Sequence, residues 1–201
     1  MNNILEDNSE AKYILFDFET CSLSLLQNNF AWQLGFLLCE GTKIIEKHGY
    51  FVKWEPLPIS KGAADATRFN RFKYELEWRE PKEILDLFET YLYDESYIPI
   101  GHNILGFDCY IHNQWRRISG KQTDYSWVKR CLDTDCLARG IKNGVKYDGK
   151  SDFLAYQYRV GSIIKKGVKT SLTTLGKENG IEFDYLNLHD STKDIELNWL
   201  I

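Results

Sequence analysis

Two carboxylates stand close together after an apolar run near the start of the chain. The run Tyr13–Phe16 is typical of a buried strand, and Asp17 and Glu19 follow it with Phe18 between them. Because the side chains of a strand alternate between its faces, Asp17 and Glu19 would point the same way. Buried carboxylates repel each other and resist the loss of water, and no Lys or Arg follows them until Lys43. The pair therefore needs a cation from elsewhere.

Two more acids occupy positions where an open α/β sheet gathers functional residues. Asp108 begins a predicted helix just after the fourth predicted strand, and Asp194 lies one turn into the last predicted helix. Sites on such sheets form at the C-terminal edges of strands and the adjoining helix starts. Mg²⁺ and Mn²⁺ prefer carboxylate oxygens, so the pattern indicates a metal site for phosphoryl transfer. The alternatives are an acidic pair on a solvated sheet face, a helix cap and a surface charge.

The elements that must position these acids begin with strands. Residues 13–16, 33–39 and 43–54 predict three strands, and the turn in "CEGT" favours an antiparallel start. Residues 55–80 predict a long connection. The run "YIPIG" predicts a fourth strand that feeds a loop.

Helical spacing of apolar residues or capping signals predict the remaining elements. Helices are expected near residues 81–96, 107–119, 134–140, 170–180 and 190–201. Asp133 or Thr134 would cap the third of these helices, and the fourth would begin at Thr170 or Ser171. Strands followed by alternating helices and strands predict an α/β fold with a mixed sheet flanked by helices.

Composition excludes several classes of protein. The 201 residues are 43% hydrophobic, which suffices for one sizeable core. The net charge of −4 gives no bulk signal for nucleic acid, so any such contact must come from a local patch. No run approaches the roughly 18 to 20 apolar residues of a membrane span, and the N-terminus has no signal-peptide pattern. Five cysteines without a CxxC pair favour reduced thiols. We therefore expect a soluble, cytoplasmic protein with no membrane partner.

Three motifs, in this order, resemble a known family. They are "FDFET" at 16–20, "GHNILGFD" at 101–108 and "HDSTKD" at 189–194. They are similar to the three exonuclease motifs of the DEDDh 3′–5′ exonucleases, the DnaQ-like group of the ribonuclease H-like fold. The resemblance covers roughly residues 12–200. It implies a ribonuclease H-like mixed sheet with three antiparallel strands followed by parallel strands.

The resemblance also implies a catalytic set. Asp17, Glu19, Asp108 and Asp194 would bind two Mg²⁺ ions, with Mn²⁺ as a substitute, and His189 would be the general base. An imidazole with an ordinary pKa of about 6.5 can accept a proton from water near neutral pH. The implied reaction is hydrolysis of phosphodiester bonds from the 3′ end, releasing nucleoside 5′-monophosphates.

The same resemblance implies residues that hold the substrate. Phe18 and Thr20 belong to the first motif, and Thr20 would help hold the terminal nucleotide. His102 and Asn103 belong to the second motif and would have a structural or substrate-positioning role. A sister group has Tyr four residues before the last Asp, where this chain has Asp190, which favours the histidine version.

The predicted organisation is a tail over 1–11 and a single exonuclease domain over 12–201. Residues 140–169 exceed what a minimal family member requires and predict an insertion. Its lysines alternate with the aromatic residues Tyr147, Phe153, Tyr156 and Tyr158. Such a segment grips a single strand by phosphate contact and base stacking, or it is a solvated surface insertion; the sequence leaves both open.

The expected partner is a nucleic acid with a free 3′ end, in single-stranded form. The competing hypotheses are a non-catalytic module of the same fold that binds nucleic acid or a polymerase, and the proofreading domain of a longer polymerase. A polymerase or another replication or repair protein is thus a candidate partner. The sequence does not distinguish DNA from RNA, and it leaves the oligomeric state open.

Overall fold

The computed structural model of the protein describes residues 10–26 and 29–201, apart from the side chain of Asn187. The predicted tail over 1–11 therefore lies outside the described residues, except for its last two positions. The description covers the whole of the predicted domain apart from residues 27 and 28.

Five strands form one mixed sheet. They are β1 (Lys12–Thr20), β2 (Ala31–Glu40), β3 (Lys43–Phe51), β4 (Tyr97–Gly101) and β5 (Leu132–Asp133). Their order across the sheet is β3-β2-β1-β4-β5. The β1–β2 and β2–β3 pairs are antiparallel, whereas β1–β4 and β4–β5 are parallel. The predicted mixed sheet, antiparallel first and then parallel, is confirmed.

Helices cover both faces of this sheet. They are α1 (Lys61–Thr67), α2 (Arg71–Glu77), α3 (Pro81–Leu92), α4 (Asp108–Ile118), α5 (Thr134–Lys142), α6 (Phe153–Gly161), α7 (Leu172–Glu178) and α8 (Ser191–Leu200). Short 3-10 helices occupy Ser126–Arg130 and Tyr185–Asn187. Side chains of Asp133, Ser171 and Asp190 accept backbone N–H groups at the starts of α5, α7 and α8. These caps agree with the helix starts predicted from sequence.

Strand alternation divides β1 between two cores. Ile14, Phe16 and Phe18 belong to the large core beneath α3 and α4. Leu15 lies on the other face, where it packs with Ile195 of α8. Because residues two apart in a strand share a face, Asp17 and Glu19 continue the row of Leu15 towards α8.

The sequence underestimated the helical content of two segments. Within 55–80, the structure has the helices α1 and α2 in place of a plain connection. Each has only seven residues, and none of the α1 residues is buried, so apolar spacing could not predict them. Within 140–169, α6 begins after the cap Asp152. Its capping signal was available in the sequence, but its apolar spacing was weak.

All five cysteines are free and buried. No disulfide framework contributes to the described fold, in agreement with the thiols predicted from sequence. Among the described helices, none combines the length and the apolar character needed to cross a membrane.

Candidate catalytic cleft

A cleft of about 740 Å³ opens where β1 ends and α4 and α8 begin. Asp17, Glu19, Asp108 and Asp194 all line it, and we call them the four cleft acids. The other lining residues are Phe18, Leu23, His102, Asn103, Phe107, Asp135, Arg139, Val168, Lys169, Thr170, Ser171, Leu172, Thr173, Leu188 and His189. The tertiary structure therefore brings acids from separate segments to one place, as the sequence predicted.

Close approach of α8 to the sheet places its acids beside β1. Gly35 of β2 pairs with Asp17 across the antiparallel ladder. A Cβ atom at Gly35 would lie only 2.7 Å from the carbonyl carbon of Ser191. Because real Cβ contacts are longer than this, the absent side chain is what lets the start of α8 rest on the sheet.

A glutamine clamp fixes the start of α8. The Nε2 of Gln33 donates to Asp190 Oδ1 at 3.2 Å, and its Oε1 accepts the Ser191 N–H at 3.4 Å. Gln33 is the direct neighbour of Glu19 across the β1–β2 ladder. The clamp therefore ties the helix that carries Asp194 to the strand that carries Glu19.

Asp108 is held at the start of α4 by β1 and by the loop before the helix. The side chain is 3% exposed, and its Oδ1 accepts the Phe18 N–H at 3.2 Å. The loop is in turn anchored on Asp133, whose carboxylate accepts the N–H groups of Asn103 and Leu105 at 2.9 Å each. Asp133 is fully buried, so it positions the second motif from beneath the cleft.

Burial raises the pKa of each of the four cleft acids, and the charge of at least one nearby carboxylate adds to the effect. For Asp17 the largest cause is burial, followed by the charges of Asp108, Asp194 and Glu19. Burial, and then Asp194 and Asp108, raise the pKa of Glu19. Burial raises the pKa of Asp108 to about 8 and that of Asp194 to about 7, although a backbone N–H lowers each in part. Without added cations, burial and the neighbouring carboxylates therefore favour the protonated forms of these acids.

The residues of the cleft fit a divalent metal ion. Within the part of the chain that the structure describes, no Lys or Arg forms an ion pair with any of the four cleft acids. Ligand atoms of Glu19, His189 and Asp194 all lie within 4.8 Å of one another. Carboxylate oxygens are the donors that Mg²⁺ and Mn²⁺ prefer.

His189 lies at the mouth of the cleft, just before α8. Its side chain is exposed, and its backbone has a positive φ of 68°. The backbone N–H donates to Asp194 Oδ1 at 3.2 Å. This contact holds the imidazole next to the acids while leaving it accessible to water.

His102 lies deeper in the cleft and is held by polar neighbours. Its Nδ1 hydrogen-bonds Thr134 Oγ1 at 2.9 Å, and its Nε2 is 3.9 Å from Asp135 Oδ1. Burial lowers the pKa of His102 despite the nearby carboxylates of Asp135 and Asp133. His102 is therefore the more buried of the two histidines that line the cleft.

The other predicted substrate-binding residues make internal contacts. Phe18 is 4% exposed, and its ring packs edge-on against Trp115. The Thr20 hydroxyl donates to the Ser22 carbonyl at 2.6 Å, and Thr20 does not line the cleft. Asn103 does line it, with a positive φ of 64°. Phe18 thus serves the site through its N–H to Asp108.

A basic wall of the cleft was not predicted from sequence. Arg139 Nε donates to Asp135 Oδ2 at 2.7 Å, and Lys169 follows on the loop after α6. Asp135 and Arg139 are four positions apart on a predicted helix, and this i, i+4 spacing is typical of ion pairs on helices. This spacing could be read from the sequence, but nothing in the sequence indicated that Arg139 would line the same cleft as the four acids.

The aromatic residues of the predicted insertion mostly pack among themselves. The rings of Tyr147, Phe153 and Tyr156 lie 5.0 to 5.9 Å apart, centre to centre, and the Tyr156 hydroxyl donates to the Val145 carbonyl. These three rings stabilise the segment itself. Tyr158 differs, since it is 48% exposed.

The fold and cleft define an α/β protein of the ribonuclease H-like type, with acids gathered at one sheet edge. No protein-family model and no curated protein sequence matches the chain. Solved structures do match in fold. E. coli exonuclease I in complex with a dT13 oligonucleotide has a TM-score of 0.72 and 16% identity, covering 95% of this chain and 40% of that one. The zinc-bound form of the E. coli exonuclease I–ssDNA complex has a TM-score of 0.73 and 15% identity, covering 95% and 39%. The chain thus spans about two fifths of the length of these neighbours.

Proposed function

We propose that this chain is a metal-dependent 3′–5′ exonuclease of the DEDDh type, acting on single-stranded DNA or RNA. The convergence of the four cleft acids with His189 carries this proposal, since no lysine or arginine of the described residues forms an ion pair with these acids. The fold shared with E. coli exonuclease I, whose solved forms include oligonucleotide complexes and a zinc-bound form, supports it.

The four cleft acids would hold two Mg²⁺ ions, with Mn²⁺ as a substitute. When bound, such ions supply a reactive water and stabilise negative charge on the leaving oxygen. Asp17 and Glu19 would provide carboxylates from β1, whereas Asp108 and Asp194 would provide them from α4 and α8. The raised pKa values favour this assignment. Burial and then the neighbouring carboxylates raise them, and a bound cation would offset both effects by stabilising the charged form.

His189 would accept the proton of the attacking water. The water oxygen bonds to phosphorus, the bond from phosphorus to the 3′-oxygen breaks, and that oxygen takes up a proton. The products are a nucleoside 5′-monophosphate and a strand one nucleotide shorter. Exposure of His189 allows it to pass its proton to solvent before the next turnover.

His102 and Asn103 would position the terminal nucleotide, since both line the cleft beside Asp108. Phe18 would act indirectly, through the N–H that fixes Asp108. Thr20 would support the end of β1 through its bond to Ser22.

The test is cleavage of 5′-labelled single-stranded DNA and RNA with Mg²⁺, Mn²⁺ or EDTA. We expect a metal-dependent ladder that shortens from the 3′ end. Asp194→Asn should lower the rate by about 10³-fold or more, because losing several kcal/mol of charge stabilisation costs roughly a factor of ten per 1.4 kcal/mol. Asp65→Asn changes an exposed acid on α1 and serves as the matched control.

His189→Ala should slow cleavage while leaving metal affinity largely intact. An unchanged rate would remove His189 from the role of base. Cleavage that persists in EDTA would contradict the metal requirement. Strand binding without any cleavage would instead favour a non-catalytic binding module.

A further inference from the structure

An exposed aromatic cluster lies on the outer side of α4. Tyr110 is 38% exposed, Tyr125 is 44% exposed and Tyr158 is 48% exposed. The Tyr110 and Tyr125 rings meet edge-on, with centroids 6.2 Å apart. Tyr158 lies on α6, and the charges of Cys109 and Tyr110 on α4 act on its phenol. We call Tyr110, Tyr125 and Tyr158 the aromatic rim.

The aromatic rim continues from the cleft. Phe107 lines the cleft and its carbonyl accepts the Tyr110 N–H at 3.0 Å, so Tyr110 lies one turn further along the helix. On a neighbouring face of α4, Gln114 Nε2 donates to the Leu25 carbonyl at 2.7 Å. This contact fixes the loop that carries Leu23, a cleft-lining side chain that is 91% exposed. The cleft-lining residue Phe107 and Tyr110 of the aromatic rim therefore lie within one turn of each other.

Positive charge accompanies this surface. Arg117 is exposed and lies two turns after Tyr110 on the same side of α4, where its charge acts on the Tyr125 phenol. Another wall of the cleft carries Arg139 and the exposed Lys169. An occupant of this region would thus meet aromatic faces together with cations.

These three tyrosines are not needed as core. The rings that build the core beside them, such as Trp115 and Trp127, are almost fully buried. In the segment around α6, the rings of Tyr147 and Tyr156 pack against each other. Exposed contiguous aromatic surface usually marks an interaction site.

We propose that the aromatic rim stacks the bases of the strand whose 3′ end lies in the cleft. This inference rests on the proposed function. It adds to the cleft a second binding region, the aromatic rim, for the nucleotides upstream of the 3′ end. A single strand exposes flat base faces and a regular row of phosphates, which match tyrosine rings and nearby arginines. A paired duplex hides its base faces, so the rim also favours single-stranded substrate over duplex.

The test measures binding of fluorescent oligothymidylates of 2 and 12 nucleotides in Ca²⁺ or EDTA, together with their hydrolysis in Mg²⁺. Variants are Tyr110→Ala, Tyr125→Ala and Tyr158→Ala, singly and combined, and the corresponding Tyr→Phe changes. We expect each alanine to weaken binding of the 12-mer by about 5- to 100-fold, which corresponds to the loss of one stacked base. Phenylalanine should retain most of the affinity. The preference for the 12-mer over the dinucleotide should fall accordingly.

Phe72→Ala is the matched control, because Phe72 is a 73% exposed aromatic residue on α2 that does not line the cleft. Wild-type affinity for the 12-mer in the triple alanine variant would overturn the rim proposal while leaving the exonuclease intact. An equal loss in alanine and phenylalanine variants would also overturn it, since stacking does not need the hydroxyl. Normal binding by the wild type without hydrolysis would overturn the proposed function alone, and no binding at all would overturn both.

Discussion

Buried carboxylates occur in two regions of this molecule and have opposite electrostatics. Among residues 10–26 and 29–201, no lysine or arginine forms an ion pair with the four cleft acids, and burial raises the pKa of Asp108 to about 8. On the other side of α4, Glu89 of α3 meets His112, Arg116 and Lys121. Burial would raise the pKa of Glu89, but these hydrogen bonds outweigh it and lower the pKa to about 2.

The difference separates a structural ion network from a site prepared for an external cation. Glu89 obtains its positive charge from the chain, so its charge stabilises the contact between α3 and α4. The cleft acids obtain none from the described chain, so their charges weaken the fold until a cation arrives. Desolvation acts in both regions, and only the source of positive charge differs.

Removing Glu89 should give the largest change in stability. We expect Glu89→Gln to lower the free energy of unfolding by about 3 kcal/mol, because it removes a buried carboxylate from its partners Arg116 and Lys121. Urea denaturation at pH 7 measures this. Asp86→Asn is the control, since Asp86 pairs with Lys82 and Lys121 at a half-exposed position, where a loss below about 1 kcal/mol is expected. An equal loss in the two variants would contradict a special role for the buried network.

Adding Mg²⁺ or Mn²⁺ should stabilise the folded protein through the cleft acids and not through the ion network around Glu89. We expect about 2.7 kcal/mol of stabilisation when the free ion is 100 times its dissociation constant, because the ion binds the folded state. Thermal unfolding with and without the ion measures it. Asp194→Asn should remove most of the gain, whereas Glu89→Gln should retain it. An equal stabilisation of Asp194→Asn and Glu89→Gln by the ion would contradict the distinction between the cleft acids and the Glu89 network.

In the metal-free protein, the contributions of the two regions to the free energy of unfolding should change with pH in opposite directions. A raised folded-state pKa means that the folded cleft binds more protons than the unfolded chain, so its stability falls as pH rises. An unfolded carboxyl group has a pKa of about 4, whereas the folded-state pKa is about 7 for Asp194 and about 8 for Asp108. The fall in stability therefore lies between about pH 4 and 8. We expect the free energy of unfolding to fall steadily across this range, in the direction that the raised pKa values require.

Glu89 has the reverse sign. Its stabilisation is complete above the ordinary carboxyl range and is lost as pH falls towards about 2. Chemical denaturation between pH 2 and 9 in EDTA tests both trends. Asp194→Asn should flatten the neutral fall and leave the acid loss unchanged, and a rise in metal-free stability from pH 5 to 8 would refute the assignment.

The sequence by itself determined those features that depend on neighbouring residues. Alternation along β1 put Asp17 and Glu19 on one face, and the caps Asp133 and Asp190 placed the starts of α5 and α8. Motif types and order predicted the ribonuclease H-like sheet, and the shared fold confirms it. The shared face and the caps depend on strand period or on residues a few positions apart, so local chemistry suffices for them. The ribonuclease H-like sheet was instead implied by the resemblance of the three motifs to a known family.

Only the tertiary structure decided which surfaces meet. Gly35 looks like an ordinary strand residue in the sequence, yet its missing side chain allows α8 to approach β1. Arg139 is predictable as the partner of Asp135, but not as a wall of the cleft. Tyr110 and Tyr125 lie 15 positions apart, on either side of a turn, and meet only in the fold. Contacts between distant segments depend on packing across the whole sheet, which residue spacing does not encode.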